Sequence, residues 1–325
     1  AMRLLDLIER SGRGTPRVDI DPARDLETLL FTGGTTGVAK GCMLTHRNVV
    51  ANAIQNPVVF GPSGNLFRGN MSVMMGNPFF HSYGHSIFHT MAQMCFTLLL
   101  LPDPRDYRSM LAMVREYHPV LQAGVPVQFR NLLAEDTRRA RVIGISGSAP
   151  LQPGTQDRFE ERGAGVVTEG YGLSELTAVS HFNVSTLIRL MGGRKMLKLL
   201  NATVFGRYGT PLLRALARLT GPKFFGRVFM GVVTLFSMLT RRSAQAGGVE
   251  RRATIGIPLP DTEIEVRDVN SGEPIGLEEL AAEDRAGELL VRGPQAMLGY
   301  WPEEGTGLDQ EGFVHTGDIV KMDAG

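Results

Sequence analysis

The chain has 325 residues, with 34 Lys and Arg against 33 Asp and Glu, 43% hydrophobic residues and a mean hydropathy of −0.03. This composition supplies enough apolar material for a large core and excludes a globally disordered or collagen-like chain. Two cysteines far apart in sequence exclude a disulfide framework, a CxxC redox pair and a zinc ribbon, so we expect a reducing, cytoplasmic setting.

The charge is unevenly distributed along the chain. The formal net charge of +1 argues against a general polyanion partner such as nucleic acid. However, no Asp or Glu occurs between Glu175 and Glu250, and residues 186–249 contain eleven Lys and Arg. The rest of the chain carries 23 basic and 33 acidic residues. One strongly basic segment therefore interrupts a mildly acidic protein.

Apolar strands and helical patterns alternate before this segment. The predicted elements are a strand at 26–31 that enters a Gly/Thr loop, a helix from 46 capped by Thr45, a helix running into a strand over 87–101, a helix at 107–117, a strand at 120–125, a helix at 127–136, a strand at 140–146, a helix at 153–163, and a strand and loop at 165–172. This alternation predicts an α/β fold with a parallel sheet covered by helices on both faces.

Short alternating strands separated by Gly/Pro turns follow the basic segment, at 262–269, 287–293 and 313–322. They predict a small β-rich subdomain, an antiparallel sheet or distorted barrel. We therefore predict three parts: an α/β core over 1–185, a basic apolar helical insertion over 186–249, and a β-rich subdomain over 250–325.

The loop from Thr32 to Gly41 is the most informative string. Glycines turn backbone N–H groups toward an anion, threonine hydroxyls add donors, and a lysine supplies a cation, so the composition suits a polyphosphate. The candidate ligands are Thr32, Gly34, Thr35, Thr36, Gly37 and Lys40. A Walker A loop would need Gly at Ala39 and Ser or Thr at Gly41. The alternative is a flexible turn with a solvated lysine.

Later motifs occur in a recognisable order. They are Asn77–Gly84 (NPFFHSYG), Ser146–Pro150 (SGSAP), Thr168–Glu175 (TEGYGLSE), Gly287–Gly293 (GELLVRG) with Gly299–Trp301 (GYW), and His315–Asp318 (HTGD). Together with the loop, they resemble the acyl-adenylate-forming superfamily, most closely its long-chain fatty acyl-CoA synthetases. Family loops usually carry Ser or Thr at Gly33 and Pro at Ala39, so this chain lacks one hydroxyl of that pattern.

The resemblance implies an acid–thiol ligase. In this family a carboxylate attacks the α-phosphate of ATP, pyrophosphate leaves, and a thiol, commonly that of coenzyme A, captures the acyl-AMP. ATP/AMP, Mg²⁺ and coenzyme A are the expected cofactors and co-substrates. Such chemistry needs positioning and charge neutralisation more than a covalent nucleophile.

The resemblance also implies roles for particular residues. Tyr171 would present its ring to adenine, Glu175 would bind Mg²⁺, and Asp318 would accept the ribose hydroxyls, although an Asp after Gly is also a common turn residue. The expected catalytic residues are Lys40, Glu175 and His81, the last beside the acyl site. Further expected nucleotide contacts are Gly147, Ser148, Glu169, Gly170, Gly172 and Ser174. Small apolar residues near the acyl site favour an aliphatic acid.

Three histidines recur at every fourth residue: His81, His85 and His89. This spacing on one helix face would suit a metal. However, Pro78 and Gly84 indicate that the helix begins only after His81. We therefore expect His85 and His89 to be ordinary helix residues.

The basic insertion of some sixty residues is unusual for the family. A helix on an anionic membrane surface or over a fatty chain is one interpretation; a helical hairpin packed on the enzyme or forming a homodimer contact is the other. Relatives also place a segment before the phosphate loop and a mobile domain with a catalytic lysine after HTGD, and no residue here can be assigned as that lysine. We therefore expect the chain, as the central part of a synthetase, to bind nucleotide but to form acyl-AMP slowly or not at all.

Two functional alternatives differ in class from the ligase. The first is a non-catalytic ATP- or acyl-binding remnant that kept the phosphate loop. The second is a membrane-surface scaffold dominated by residues 186–249.

Overall fold

The computed structural model describes residues 17–32, 39–59, 64–137, 140–163, 165–190, 198, 202, 209–246, 254–283 and 285–322. In chain order the strands are β1 (Leu26–Thr32), β2 (Lys40–Thr45), β3 (Ser72–Met75), β4 (Thr97–Leu100), β5 (Leu121–Gly124), β6 (Val142–Ser146), β7 (Gly165–Tyr171), β8 (His181–Phe182), β9 (Ile257–Pro258), β10 (Glu263–Arg267), β11 (Ala286–Arg292), β12 (Gly299–Tyr300), β13 (Glu303–Glu304) and β14 (Val314–Lys321). The helices are α1 (His46–Val58), α2 (Gly64–Phe67), α3 (Ser82–Gln93), α4 (Tyr107–Tyr117), α5 (Pro126–Leu132), α6 (Pro153–Glu161), α7 (Ser185–Leu190), α8 (Gly209–Ala246) and α9 (Leu277–Glu283).

The predicted α/β fold is confirmed. A seven-stranded sheet has the order β4-β3-β5-β6-β7-β8-β9, and its first five strands are parallel neighbours. Two apolar clusters involve this sheet. One contains Val73, Ile143 and Val166, and the other contains Met74, Val142 and Val167. Adjacent strand residues thus enter different clusters, as expected for a sheet covered on both faces.

β1 does not join the parallel sheet. It pairs antiparallel with β2, a strand that the sequence analysis missed, in a four-stranded sheet of order β1-β2-β12-β13. The pairing of Thr32 with Lys40 is the last step of the β1–β2 ladder, so β1 and β2 are the two strands of a hairpin. β2 ends at Thr45, and the Thr45 hydroxyl accepts a hydrogen bond from Asn48 N at the start of α1. The predicted capping of this helix by Thr45 is therefore confirmed.

Strands after residue 250 contribute to all three sheets. β10, β11 and β14 form the predicted small antiparallel sheet, β12 and β13 extend the β1–β2 sheet, and β9 pairs with β8 at one edge of the large sheet. The sequence pattern therefore correctly indicated that short antiparallel strands follow the basic segment. The three-part division of the chain stays a prediction.

Helix α8 occupies most of the described part of the basic insertion. It consists of two helical stretches that meet at a kink at Gly221, where φ is +74° and Pro222 follows. Met230 and Val233 are buried in the same cluster as Ile143 and Val166. The helix therefore packs on the α/β core. No helix among the described residues is long and apolar enough to cross a membrane.

Asn48 fastens α1 to the C-terminal third of the chain. Its Nδ2 donates to Pro294 O at 2.8 Å and to Ala296 O at 2.7 Å, while its Oδ1 accepts from Thr45 N at 2.9 Å. Asn48 is buried, so water does not replace these bonds easily. This one side chain satisfies two carbonyls that lie almost 250 residues further along the chain.

Asn48→Ala should therefore destabilise the protein by about 3 kcal/mol, because two carbonyls lose their donor and the helix loses half of its capping box. Urea unfolding followed by circular dichroism measures the change. Val50→Ala, at an exposed position on the same helix, is the matched control and should cost less than about 1 kcal/mol. Equal losses for the two variants would contradict this assignment.

Candidate functional site

A cleft of about 630 Å³ opens beside the ends of β1, β6 and β7 and the start of α3. Ligand sites in α/β sheets commonly lie outside the carboxyl ends of parallel strands. The lining residues come from every motif before residue 180 and from β12: Phe31, Thr32, Lys40, Phe80, His81, Ser82, Tyr83, Gly147, Ser148, Gly170, Tyr171, Gly172, Leu173, Ser174, Glu175, Ala178, Val179 and Tyr300.

One wall of the cleft contains a carboxylate and a cation on either side of a phenol. The Tyr300 hydroxyl donates to Glu175 Oε1 at 2.5 Å, and Lys40 Nζ lies 5.0 Å from the centre of the Tyr300 ring. Burial, followed by the bond to Glu175, raises the pKa of the Tyr300 hydroxyl, so it stays a protonated donor. Tyr300 therefore orients the carboxylate while its ring contacts the cation.

A second tyrosine and a second carboxylate meet at the rim. Tyr171, the last residue of β7, donates its hydroxyl to Asp318 Oδ2 at 2.7 Å, and its ring packs edge-on against His181 with centroids 5.6 Å apart. Asp318 lies within β14, inside the strand predicted at 313–322, beside Gly317 with φ +72° and next to an irregularity in the β11–β14 pairing. This local bend carries the carboxylate toward Tyr171.

His81 caps helix α3. Its Nδ1 accepts from Tyr83 N at 3.2 Å, and the helix begins at Ser82, as Pro78 and Gly84 predicted. A Cβ on Gly84 would lie 2.2 Å from Pro78 O, so this turn admits only glycine. Because Nδ1 is an acceptor here, the neutral imidazole carries its proton on Nε2. His81 therefore offers one N–H to the cleft.

The floor contains a backbone held in an uncommon conformation. Ser148 has φ +67°, and Gly147 packs so closely on Tyr83 that a Cβ there would lie 3.2 Å from its ring. Tyr83 is itself fixed by a hydrogen bond from its hydroxyl to Ile145 O at 2.7 Å. Such strain persists only where surrounding contacts hold it, and it is common at binding sites.

Glycine at position 172 has a packing reason. A Cβ there would lie 1.6 Å from Ala178 O, so the chain can approach itself only without a side chain. At Gly170 the same test gives an ordinary contact of 3.7 Å with Phe182. Sequence reasoning explained both glycines by access for a nucleotide. For Gly172, contact with its own backbone is sufficient.

The cleft brings together most of the predicted site residues. Its lining includes ten of them: Thr32, Lys40, His81, Gly147, Ser148, Gly170, Tyr171, Gly172, Ser174 and Glu175. Asp318 reaches it through Tyr171. The carboxylate of Glu169 is not part of the lining: Oε1 accepts from Leu151 N at 2.9 Å, and burial raises its pKa. Gly34, Thr35, Thr36 and Gly37 lie outside the described residues.

Sequence reasoning gave no role to several lining residues. Tyr300 was noticed within a motif, but nothing in the sequence paired it with Glu175. Phe31 and Phe80 are 64% and 82% exposed and add apolar surface at the mouth. Apolar residues directly beside a polar motif are a usable signal for a substrate wall.

The sequence matches a known protein family. A profile of the AMP-binding enzymes matches residues 5–223 and 229–301. The chain belongs to the AMP-binding enzyme family. This membership accounts for the order of the motifs that line the cleft, and it confirms the resemblance inferred from them.

Alignments with individual relatives span nearly the whole chain. The chain is 28% identical over 314 residues to a long-chain-fatty-acid–CoA ligase of Bacillus subtilis. It is 26% identical over 334 residues to a probable 4-coumarate–CoA ligase of Dictyostelium discoideum. These alignments span 94% and 99% of this chain but 43% and 47% of the relatives. The chain thus spans less than half the length of these curated relatives.

Solved structures share the fold. A long-chain-fatty-acid–CoA ligase from Archaeoglobus fulgidus superposes with a TM-score of 0.66 at 18% identity, covering 99% of this chain and 54% of that one. The o-succinylbenzoate–CoA synthetase of Bacillus subtilis, solved with AMP, gives a TM-score of 0.62 at 19% identity, with 93% and 48% covered. At such identities the likeness establishes the architecture alone.

The buried side chain of His181 should make the stability of the protein depend on pH. Burial lowers the pKa of His181 from 6.5 to about 4. Between these values the unfolded chain binds a proton that the folded chain does not, so the free energy of unfolding should fall as the pH falls from about 6.5 to about 4, by up to about 3 kcal/mol. Urea titrations across this range measure the slope.

His181→Gln removes the titrating group and should flatten that part of the curve. The comparison is between slopes, so a general loss of stability in the variant does not affect it. Parallel curves for the two proteins would show that His181 is not responsible.

Proposed function

We propose that this chain supplies the ATP- and acyl-binding site of an AMP-forming acid–thiol ligase, which activates a carboxylic acid to acyl-AMP and passes the acyl group to coenzyme A. The observation that carries the proposal is the convergence of Lys40, Glu175 and Tyr171 on one cleft from positions far apart in the sequence. Family membership supports the reaction class.

The wall with Lys40 and Glu175 suits the phosphates. A lysine cation offsets charge on the triphosphate, and a carboxylate with nearby hydroxyl groups is the hard oxygen set that Mg²⁺ prefers. Glu175, Ser174 and Thr32 would hold the ion, because all three border the cleft. When bound, Mg²⁺ would neutralise phosphate charge. Tyr300 keeps one Glu175 oxygen oriented by its 2.5 Å hydrogen bond.

The rim with Tyr171 and Asp318 suits the nucleoside. The Tyr171 ring offers a flat surface for the adenine, and the Asp318 carboxylate accepts hydrogen bonds from ribose hydroxyls. His81, which belongs to the motif Asn77–Gly84, offers its Nε2–H to a carboxylate oxygen of the acid substrate. No covalent nucleophile is needed, since positioning and charge neutralisation supply the rate enhancement.

Nucleotide affinities test this division of the cleft. Lys40→Met should weaken ATP binding about 10- to 100-fold and AMP binding much less, because its cation faces the distal phosphates. Tyr171→Ala should weaken ATP and AMP alike, about 10-fold, because both contain adenine. Isothermal titration calorimetry with Mg²⁺ present measures both ligands.

Glu273→Gln, at an exposed carboxylate that is not part of the cleft lining, is the matched control and should leave both affinities unchanged. A wild-type chain that binds neither nucleotide, or a Lys40→Met variant that loses ATP and AMP equally, would contradict the assignment. ATP–pyrophosphate exchange on the same samples should be slow or absent, as expected for this chain from its sequence, and robust exchange would contradict that expectation.

We propose an aliphatic, long-chain acid as the substrate. Several curated relatives bear the name long-chain-fatty-acid–CoA ligase, and the cleft adds apolar side chains from Phe31, Phe80 and Val179. The affinity of the chain for saturated acids, measured by calorimetry with AMP present, should therefore rise with chain length, by up to about 4-fold per added methylene. Tighter binding of 4-coumarate, the acid in another relative's name, would contradict the proposal.

We further propose that α8 rests on an anionic membrane surface. Exposed apolar side chains follow one another along both halves of the helix: Leu212, Leu216, Leu219, Phe224, Val228, Val232 and Leu235. Three exposed cations, Arg218, Lys223 and Arg227, lie among them. Apolar side chains beside cations complement the acyl boundary and the headgroups of anionic lipid.

Vesicle co-sedimentation tests this contact. Binding should be stronger to vesicles that contain phosphatidylglycerol than to phosphatidylcholine alone, and Leu219→Asp should lower it about 10-fold. Val269→Asp changes an equally apolar exposed residue outside α8 and should have no effect. Loss of dimerisation rather than vesicle binding in Leu219→Asp would assign the surface to a homodimer instead.

A further inference from the structure

One carboxylate and two imidazoles converge outside the cleft lining. Glu27 lies on β1, and His85 and His89 lie one turn apart on α3. His85 Nε2 is 3.1 Å from Glu27 Oε2, and His89 Nε2 is 3.5 Å from Glu27 Oε1. One ligand atom from each residue falls within 4.8 Å of the others. His81 is not part of this group, because it caps the helix.

We propose that Glu27, His85 and His89 form a binding site for a divalent transition-metal ion, with Zn²⁺ as its natural probe. The chemistry is that of two neutral imidazoles and one carboxylate, a combination that binds Zn²⁺ and its neighbours in the first transition series. Nothing in the proposed ligase reaction requires this ion.

The ligand spacing fits a tetrahedral ion. With bonds of about 2.1 Å, two ligands of a tetrahedral ion lie about 3.4 Å apart. The two observed nitrogen–oxygen distances, 3.1 Å to Glu27 Oε2 and 3.5 Å to Glu27 Oε1, are close to this value, although each ends on a different oxygen of the carboxylate. The imidazole rings also lie close together, with centroids 4.5 Å apart. Small side-chain adjustments would therefore bring all three groups onto one ion.

The carboxylate is incompletely satisfied. Glu27 Oε2 is buried, and none of its contacts with the described residues, including the 3.1 Å approach to His85 Nε2, has the geometry of a hydrogen bond. A buried carboxylate oxygen without a well-placed donor is costly, and a cation would satisfy it.

The surroundings leave room for further ligands and set a limit on affinity. The side chains of Glu27 and His89 are 23% and 30% exposed, so water can complete the coordination. His85 Nδ1 is buried and has no hydrogen-bond partner within the part of the chain that the structure describes, whereas metal-bound histidines usually donate this N–H to an acceptor. Since missing outer contacts cost about 10- to 100-fold in affinity, we expect micromolar rather than nanomolar binding.

Zinc titration of the chelator-treated chain, made without a histidine tag, tests the site. Calorimetry should give one Zn²⁺ per chain. Glu27→Gln, His85→Ala and His89→Ala should each weaken binding by more than the roughly 10- to 100-fold cost of an outer-sphere change. His315→Ala is the matched control: it removes a histidine paired with a single carboxylate, Glu288 at 3.2 Å, and should leave Zn²⁺ affinity unchanged.

Cobalt provides a reading that does not depend on the variants folding. Co²⁺ bound to the wild-type chain should give the visible absorption of a four- or five-coordinate ion, and added Zn²⁺ should abolish it. A wild-type chain without this absorption, or Zn²⁺ affinities equal in the wild type and in Glu27→Gln, would overturn the proposal. Thermal unfolding should also shift upward with Zn²⁺ in the wild type and not in His89→Ala.

Discussion

The hydrogen bond from Tyr300 to Glu175 holds the cleft together. The two residues are separated by 125 positions, and they belong to the four-stranded antiparallel sheet and to the segment that follows β7. Tyr300 pairs with Cys42 in β2, so its position is set two residues from Lys40. The antiparallel register thus places the lysine beside one face of the phenol while the hydroxyl fixes the carboxylate. A hydrogen bond to a carboxylate is stronger than one between neutral groups, which suits a contact between the four-stranded sheet and the segment that follows β7.

Backbone contacts reinforce this junction. Met297 N donates to Glu175 O at 2.8 Å, and Thr177 Oγ1 donates to Gln295 O at 2.6 Å. Gln295 is fully buried and accepts from Gln55 at 3.0 Å. Because these polar groups have lost water, their partners are fixed by the cost of leaving them unpaired. The segment around residue 295 therefore carries Tyr300 to Glu175, and the site depends on packing between distant parts of the chain.

The sequence was informative wherever the signal is local. The helices at α3, α4, α5 and α6 and the strands at β5, β6 and β7 follow from periodicity, and the Thr45 cap follows from side-chain chemistry at one residue. β2 was missed because the sequence pattern of a short strand directly after a glycine-rich loop cannot be distinguished from the end of the loop itself. Its pairing with β1 depends on the hairpin closing, and its pairing with β12 depends on contacts some 260 residues away. The apolar sequence neighbours of Cys42 and Cys95 predict buried thiols at both positions. Cys42 is buried, but Cys95 is exposed at a position with φ +54°, so the second prediction is wrong.

The candidate site shows the same division. The ordered motifs identified residues that line the cleft. The hydrogen-bond partners of those residues, such as Tyr300 for Glu175, come from other elements and could not be read from the motifs. Glu27 illustrates the limit most clearly: the four-residue spacing of the histidines was visible, and with His81 excluded as a cap it did not support a metal. The carboxylate that changes this assessment is contributed by a strand almost sixty residues earlier. Only the packing of β1 beside α3 brings the three groups together.

β1 and α3 each extend from this cluster to the cleft. β1 carries Glu27 and ends at Thr32, and α3 begins beside His81 and carries His85 in its first turns. An ion bound to Glu27, His85 and His89 would restrain the distance between the two elements. It would alter nucleotide affinity only if that distance differs between the free and bound protein, because a ligand shifts an equilibrium only through its differential affinity for two states. If the distance is the same in both, the ion contributes stability alone. Nucleotide affinities measured with and without Zn²⁺ thus report whether the cluster and the cleft are coupled or merely share two elements of the fold.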